Sequence, residues 1–189
     1  MRISFRYTGG KTIMINELFI LGELMEEPQS GYDLRNVLQI FLGRHRKISY
    51  GVLYPLLEKL ENEGFLEMAN VETNGKTKKI ASITKEGEEH FFELMKMPVA
   101  DGAHSADLYL IKLNVMQHLS FNEQMQLLEQ FYQEQKNIIQ DAQNVLNKLA
   151  KEKSRDHWYA SKKFELLLNQ ADVTMKWIDK FKQELKKAR

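Results

Sequence analysis

The chain has no cysteine. That excludes a disulfide framework, a thiolate metal site and a cysteine nucleophile, and gives no sign of an oxidising compartment. Only three prolines interrupt 189 residues, so few positions forbid helix. No apolar run approaches the roughly 18 residues that a bilayer-crossing helix needs, and no secretory h-region is present, so the expected location is cytoplasmic with no membrane partner. A charge imbalance is also lacking: 27 Lys and Arg against 26 Asp and Glu leave a net charge of +1. Attraction to a polyanion then has to come from charge placed locally. Catalytic signatures are missing, with no G-x-S-x-G, H-E-x-x-H, P-loop or G-x-G-x-x-G, and the histidines at 45, 90, 104, 118 and 157 show no ligand spacing. The chain reads as no enzyme, with no cofactor and no metal; Asp101, His104 and Asp107 read as a solvent-facing linker trio rather than a metal site.

What is present describes a folded protein rich in helix. Apolar residues make up 43% and charged residues 28%, enough for one compact domain or two modest ones. Positive charge bunches at Arg44-His45-Arg46-Lys47 and at Lys76, Lys78 and Lys79.

Met1 to Ile13 read as a loose leader with a Gly9-Gly10 break. Leu18, Leu21 and Met25 recur at helical spacing over Ile15 to Glu27, where Pro28 stops the segment. Ser30 with Asp33 gives a capping signal, followed by the stripe Leu34, Val37, Leu38, Phe41 and Leu42. After the basic turn, Ser49 is positioned to cap a third helix that buries Leu53, Leu56, Leu57 and Leu60 and ends at Gly64. Pro55 makes the start of that helix unusual. Two strand-like runs, Phe65 to Glu72 and Thr77 to Ile83, flank Thr73-Asn74-Gly75-Lys76, and Asn-Gly tolerates the positive φ that a tight hairpin demands. Thr84 caps a short helix. The stretch around residues 98–104 breaks periodicity and reads as a linker.

Beyond it, Ser105 opens a helix with Leu108, Ile111, Val115 and Leu119 on one side, and Ser120 with Glu123 forms a capping box. Two long seams follow. One runs Met125, Leu128, Tyr132, Gln135, Ile139, Ala142, Leu146, Leu149; the other runs Phe164, Leu168, Ala171, Met175, Ile178, Lys182, Leu185. The expected fold is therefore mainly α. A winged helix-turn-helix with a two-stranded wing spans residues 14–97, a linker residues 98–104, and a helical dimerisation domain residues 105–189.

Three helices and a hairpin within about 70 residues describe a winged helix-turn-helix, whose third helix enters the major groove of double-stranded DNA. The first turn of that helix offers hydroxyls at Ser49, Tyr50 and Tyr54, suited to phosphate or base edges. Lys47 precedes them and Lys59 follows a turn later, while Lys76, Lys78 and Lys79 place ammonium groups on the wing. A solvated hairpin edge is the plainer reading of those wing lysines.

At this point the residues resemble a known family. Ile20-Leu21-Gly22-Glu23-Leu24, Ser30-Gly31-Tyr32-Asp33-Leu34, Ile48-Ser49-Tyr50-Gly51-Val52-Leu53-Tyr54-Pro55-Leu56-Leu57 and Leu60-Glu61-Asn62-Glu63-Gly64-Phe65 together look like the PadR family of bacterial regulators. Everything after the linker is similar to the branch with a helical C-terminal dimerisation domain. The resemblance implies a homodimeric repressor whose wing and third helix contact operator DNA, with small aromatic effectors relieving repression in some members. It implies a backbone contact for Tyr32 and a reading face of Ser49, Tyr50 and Tyr54. Half-buried core tyrosines remain the alternative for Tyr32 and Tyr54.

Two seams of this length exceed what one hairpin needs, so Leu128, Tyr132, Ile139, Leu146, Leu168, Met175 and Ile178 are the expected dimer contacts. Gln135 and Lys182 are candidates for fixing register. Third helices in successive major grooves require centres about 34 Å apart and a pseudo-palindromic operator. Tyr109, His118, Trp158 and Trp177 are the candidates for lining an effector pocket, and core packing is their plainer reading. The rival to a DNA reader is a winged-helix and coiled-coil adaptor that binds protein partners without operator specificity.

Overall fold

Leu18, Phe19, Ile20 and Leu21 are four consecutive apolar residues, a run that no single face of a helix can hold. The computed structural model shows why: α1 (Gly10–Leu24) is enclosed, with all four wholly buried and Ile15 and Leu24 nearly so. It starts earlier and stops earlier than the Ile15 to Glu27 read from the pattern. The structure describes residues 10–43, 48–73, 75–99, 105–151 and 155–188, with the side chains of residues 10–14, Leu42, Thr73, Lys76 and Arg155 left aside. Leader residues 1–9, the basic turn 44–47, Asn74, and Asp101 and His104 lie outside the described residues.

β1 (Gln29–Ser30) leads directly into α2 (Gly31–Leu42). The cap forms as its sequence demands: Asp33 N–H donates to Ser30 Oγ at 3.2 Å, and the hydroxyl donates to Asp33 Oδ2 at 2.6 Å. Leu34 and Leu38 face inward. α3 (Tyr50–Asn62) buries Leu53, Leu56, Leu57 and Leu60. It ends in a Schellman arrangement, with Phe65 N–H donating to Leu60 O and Gly64 N–H to Glu61 O around a Gly64 φ of +80°. Pro55 falls on the sixth helical residue, so the Gly51 carbonyl has no i+4 backbone donor.

β2 (Leu66–Thr73) and β3 (Lys76–Ile83) pair antiparallel from Leu66 opposite Ile83 to Thr73 opposite Lys76. Across the end of that pairing Gly75 takes a φ of +70°. The sheet has three strands, not two, in the order β1-β3-β2, because Gln29 and Ser30 pair with Ala81 and Ile80. A two-residue strand is too short to carry a readable alternation. α4 (Lys85–Lys96) is capped by Thr84, whose oxygen accepts from Gly87 N–H at 3.0 Å. A Cβ at Gly87 would collide with the Phe65 carbonyl, so glycine lets α4 start hard against the end of α3.

The chain divides into two compact units, Met1–His118 and Leu119–Arg189. The first therefore extends past the linker expected at 98–104 and takes in α5 (Ser105–Asn114) and a short 3-10 turn (Met116–His118). Packing is the reason: Leu108, Ile111 and Val115 are buried in this unit, and Val115 lies where any side chain at Gly22 of α1 would go. The fully buried Lys112 donates to the carbonyls of Met95 (2.9 Å) and Met97, tying α5 to the end of α4. Burial pushes its ammonium pKa down to about 8.

A second polar anchor sits under α3. The buried Glu17 carboxylate accepts from Lys59 Nζ at 3.0 Å and from His90 Nε2 at 2.7 Å, joining α1, α3 and α4. Burial alone would raise the Glu17 pKa, but the hydrogen bonds from His90 and Lys59 outweigh it and hold the carboxyl below its usual value. His90 stacks on Phe65 at 4.1 Å, and its pKa is raised, chiefly by the bond to Glu17.

The second unit is a hairpin of α6 (Phe121–Leu149) and α7 (Arg155–Lys187). Ser120 and Glu123 form the expected capping box. Leu127, Leu128, Phe131, Gln135 and Ala142 of α6 are buried, as are Ala171 and Ile178 of α7. Lys182 Nζ meets Glu129 Oε2 at 2.6 Å and lies over the Tyr132 ring, locking the antiparallel register within one chain.

Candidate nucleic-acid interface

The apolar stripe of α3 faces the core, which turns its other side outward by geometry alone. Tyr50 and Tyr54, one turn apart, are 42% and 47% exposed, and Ser49 and Val52 are exposed beside them. The two rings stack at 5.7 Å with 25° between planes. Ser49 stands at the N-cap position with extended backbone, yet its hydroxyl makes no capping bond. That corrects the expectation that the Ser49 side chain caps α3 and leaves the hydroxyl open to a ligand. Tyr32, at the start of α2, is exposed as well. The hydroxyl-bearing residues expected on the reading face therefore all reach the surface.

The lysines divide. Lys47 and the side chain of Lys76 lie outside the described residues. Lys59 is committed inward to Glu17, with Glu63 at 3.4 Å on its other side, so it is part of the fold's own charge network rather than a free phosphate ligand. Lys78 and Lys79 are exposed, but adjacent strand positions point to opposite faces. Lys79 comes within 3.8 Å of Glu61 of α3, and Lys78 takes the other face. The two described wing lysines are thus divided between the faces by strand period.

Comparison with known proteins bears on this face directly. The sequence profile of the Transcriptional regulator PadR-like family matches residues 20–93, from α1 through the wing to α4. The Negative transcriptional regulator PadR of Bacillus subtilis (strain 168) is 26% identical over 133 residues, covering 69% of this chain and 72% of that protein. A PadR-like transcription factor of Bacteroides fragilis is 30% identical over 46% of this chain and 85% of its own, with a TM-score of 0.39. Residues 20–93 belong to the PadR-like family of transcriptional regulators. A crystal structure of Bacillus subtilis PadR in complex with operator DNA is 21% identical and covers 89% of this chain and 96% of that one, with a TM-score of 0.42. The family is one of regulators and not of enzymes, in line with the missing catalytic signatures.

In this PadR-like regulator the four candidate effector residues do not form one pocket. Tyr109 is buried in α5, and His118 stands edge-on to Phe91 in the first unit. A Glu26 oxygen lies 3.0 Å from His118 Nε2, an ion-pair distance, but the angle makes no hydrogen bond and the nitrogen is left without one among the described residues. Trp158 and Trp177 are both on α7, 19 residues and about 28 Å apart at 1.5 Å per residue, too far for one small ligand in one chain. Trp158 instead borders a cleft of about 440 Å³ with Leu146, Leu149 and His157.

The expected dimer contacts are also redistributed. Leu128 and Ile178 are 0% exposed within a single chain, consumed by α6–α7 packing, and have no surface to give a second copy. Tyr132, Ile139, Leu146, Leu168 and Met175 are half-buried along the same seam. The large apolar side chains left outside are different ones: Tyr159, Leu166, Val173 and Trp177, recurring on α7 at spacings of 7, 7 and 4. Arg35 and Gln39 of α2 escaped the sequence reading altogether, because their partners lie across the turn and only their spacing of four hinted at a shared task.

Proposed function

We propose that this PadR-like regulator is a sequence-specific DNA-binding repressor that works as a cytoplasmic homodimer and is released from its operator by a small aromatic effector. The observation that carries the reading is the outward cluster of Tyr32, Ser49, Tyr50 and Tyr54 at the start of α2 and α3, with the exposed lysine Lys78 on the β2–β3 hairpin. Unspent hydroxyls on an exposed first turn suit phosphate oxygens and base edges. The relatives support the same direction: one is named a negative regulator and one was crystallised with operator DNA. A second copy of the chain is the natural cover for the α7 stripe Tyr159, Leu166, Val173 and Trp177, and two reading helices about 34 Å apart then demand a pseudo-palindromic operator. Trp158, at the edge of its cleft, is the aromatic best placed to meet an effector.

The test is binding of the full-length protein to duplexes from the region upstream of its own gene, measured against ionic strength. Affinity should fall steeply with salt, Lys78→Gln should lower the slope by about one, and Tyr50→Ala should weaken binding while the protein remains dimeric. Weak binding to every duplex at low salt would favour the protein-binding adaptor instead.

A further inference from the structure

We infer that Arg35 and Gln39 of α2 are positioning residues that set the orientation of the α3 reading face by pinning the Ile48 peptide on both sides. The inference rests on the DNA-binding reading and names two residues it has not used. Gln39 Oε1 accepts from Ile48 N–H at 3.3 Å, and its Nε2 donates to the Gly43 carbonyl at 3.2 Å. One side-chain amide thus bridges the two residues that flank the basic turn 44–47. Arg35, one turn earlier on the same face of α2, donates from Nε to the Ile48 carbonyl at 3.2 Å. Its guanidinium carbon lies 4.6 Å from the centre of the Tyr50 ring, within cation–π range.

These contacts matter because the usual device is absent. A capping side chain normally fixes the first turn of a helix, and the Ser49 hydroxyl makes no such bond. The peptide just before the reading helix is held by α2 instead, with the Ile48 side chain buried beneath it. Arg35 then reaches past Ile48 to the Tyr50 ring, which in turn stacks on Tyr54. The direction of both phenol hydroxyls is therefore set through a chain that begins on α2. A lysine at position 35 keeps the charge but has neither the Nε–H directed at Ile48 O nor a flat face for Tyr50.

The experiment uses full-length protein and a duplex of about 30 bp selected by the wild type from a random library, beside an unselected duplex of equal length. Arg35→Lys and Arg35→Gln should both weaken the selected duplex about tenfold, leave the unselected one unchanged, and keep the salt slope. Either change combined with Tyr50→Ala should bind no more weakly than Tyr50→Ala alone. Gln39→Glu, which keeps an acceptor and loses the donor, should act in the same direction. In isotope-labelled free protein the Arg35 Nε–H should be protected from exchange. Wild-type affinity for Arg35→Lys, a slope lower by about one for Arg35→Gln as for a lost phosphate contact, additive double mutants, or an unprotected Arg35 Nε–H would each overturn the inference and leave the DNA-binding reading standing. Failure of the wild type to select any duplex would overturn both.

Discussion

The two units bury apolar surface in different ways. In the first, α2, β3, α4 and α5 pack around α1, and Leu18, Phe19, Ile20 and Leu21 are wholly buried. Each such side chain contributes about 1.5–3 kcal/mol by leaving water. In the second, only two helices are available, and each can give its partner one stripe. Leu128 and Ile178 are covered, while Leu166 and Val173, on another side of α7, remain 56% and 65% exposed. A contiguous stripe of that kind marks an interaction surface more often than idle decoration. The first unit encloses one helix whole; the second leaves an apolar stripe along α7 that one chain does not cover.

The largest test of that contrast is Leu166→Asp with Val173→Asp. Sedimentation should show a monomer, and duplex binding should weaken about 100-fold as the two reading heads lose their link, while the first unit unfolds as before. A protein that stays dimeric would show that the outer stripe of α7 is not what a second copy covers.

A smaller effect separates the units by pH. Glu17 has a lowered pKa, so its contribution is present above the ordinary value of 4.5 and is lost as pH falls through the folded value. His90 has a raised pKa, so its contribution is full below 6.5 and is lost as pH rises through the folded value. The contribution of the Glu17–His90 pair should peak between those limits, and His90→Phe should flatten the fall in urea midpoint just above them. The described ion pairs within α7, such as Lys162–Glu165 and Lys176–Asp172, are exposed and worth little. An equally pH-sensitive second unit would break the comparison.

The smallest effect concerns two serines that look alike in sequence. Ser30→Ala removes a formed cap and should cost about 1 kcal/mol in thermal unfolding. Ser49→Ala removes no cap bond and should leave stability unchanged while lowering duplex affinity.

What was legible in the sequence was local. The Ser30–Asp33 cap, the Ser120–Glu123 box, the β2–β3 hairpin and the leucine face of α3 depend on neighbours within a few residues, so short windows reveal them. The outward hydroxyls followed from that leucine face by elimination. The Lys59–Glu17 pair was not legible because its members lie 42 positions apart, and β1 was missed because two residues show no period.

By itself the chain's order of residues determined where α2, α4 and α6 are capped, which side of α3 is apolar, and which of its hydroxyls are left outside. Only the tertiary structure decided which apolar sides meet. It placed α5 with α1 through the gap at Gly22, spent Leu128 and Ile178 inside one hairpin, and hung the start of α3 on Arg35 and Gln39. Periodicity tells a side chain that it must be covered, but the covering group lies far along the chain and is chosen by shape and hydrogen-bond reach after the elements have assembled.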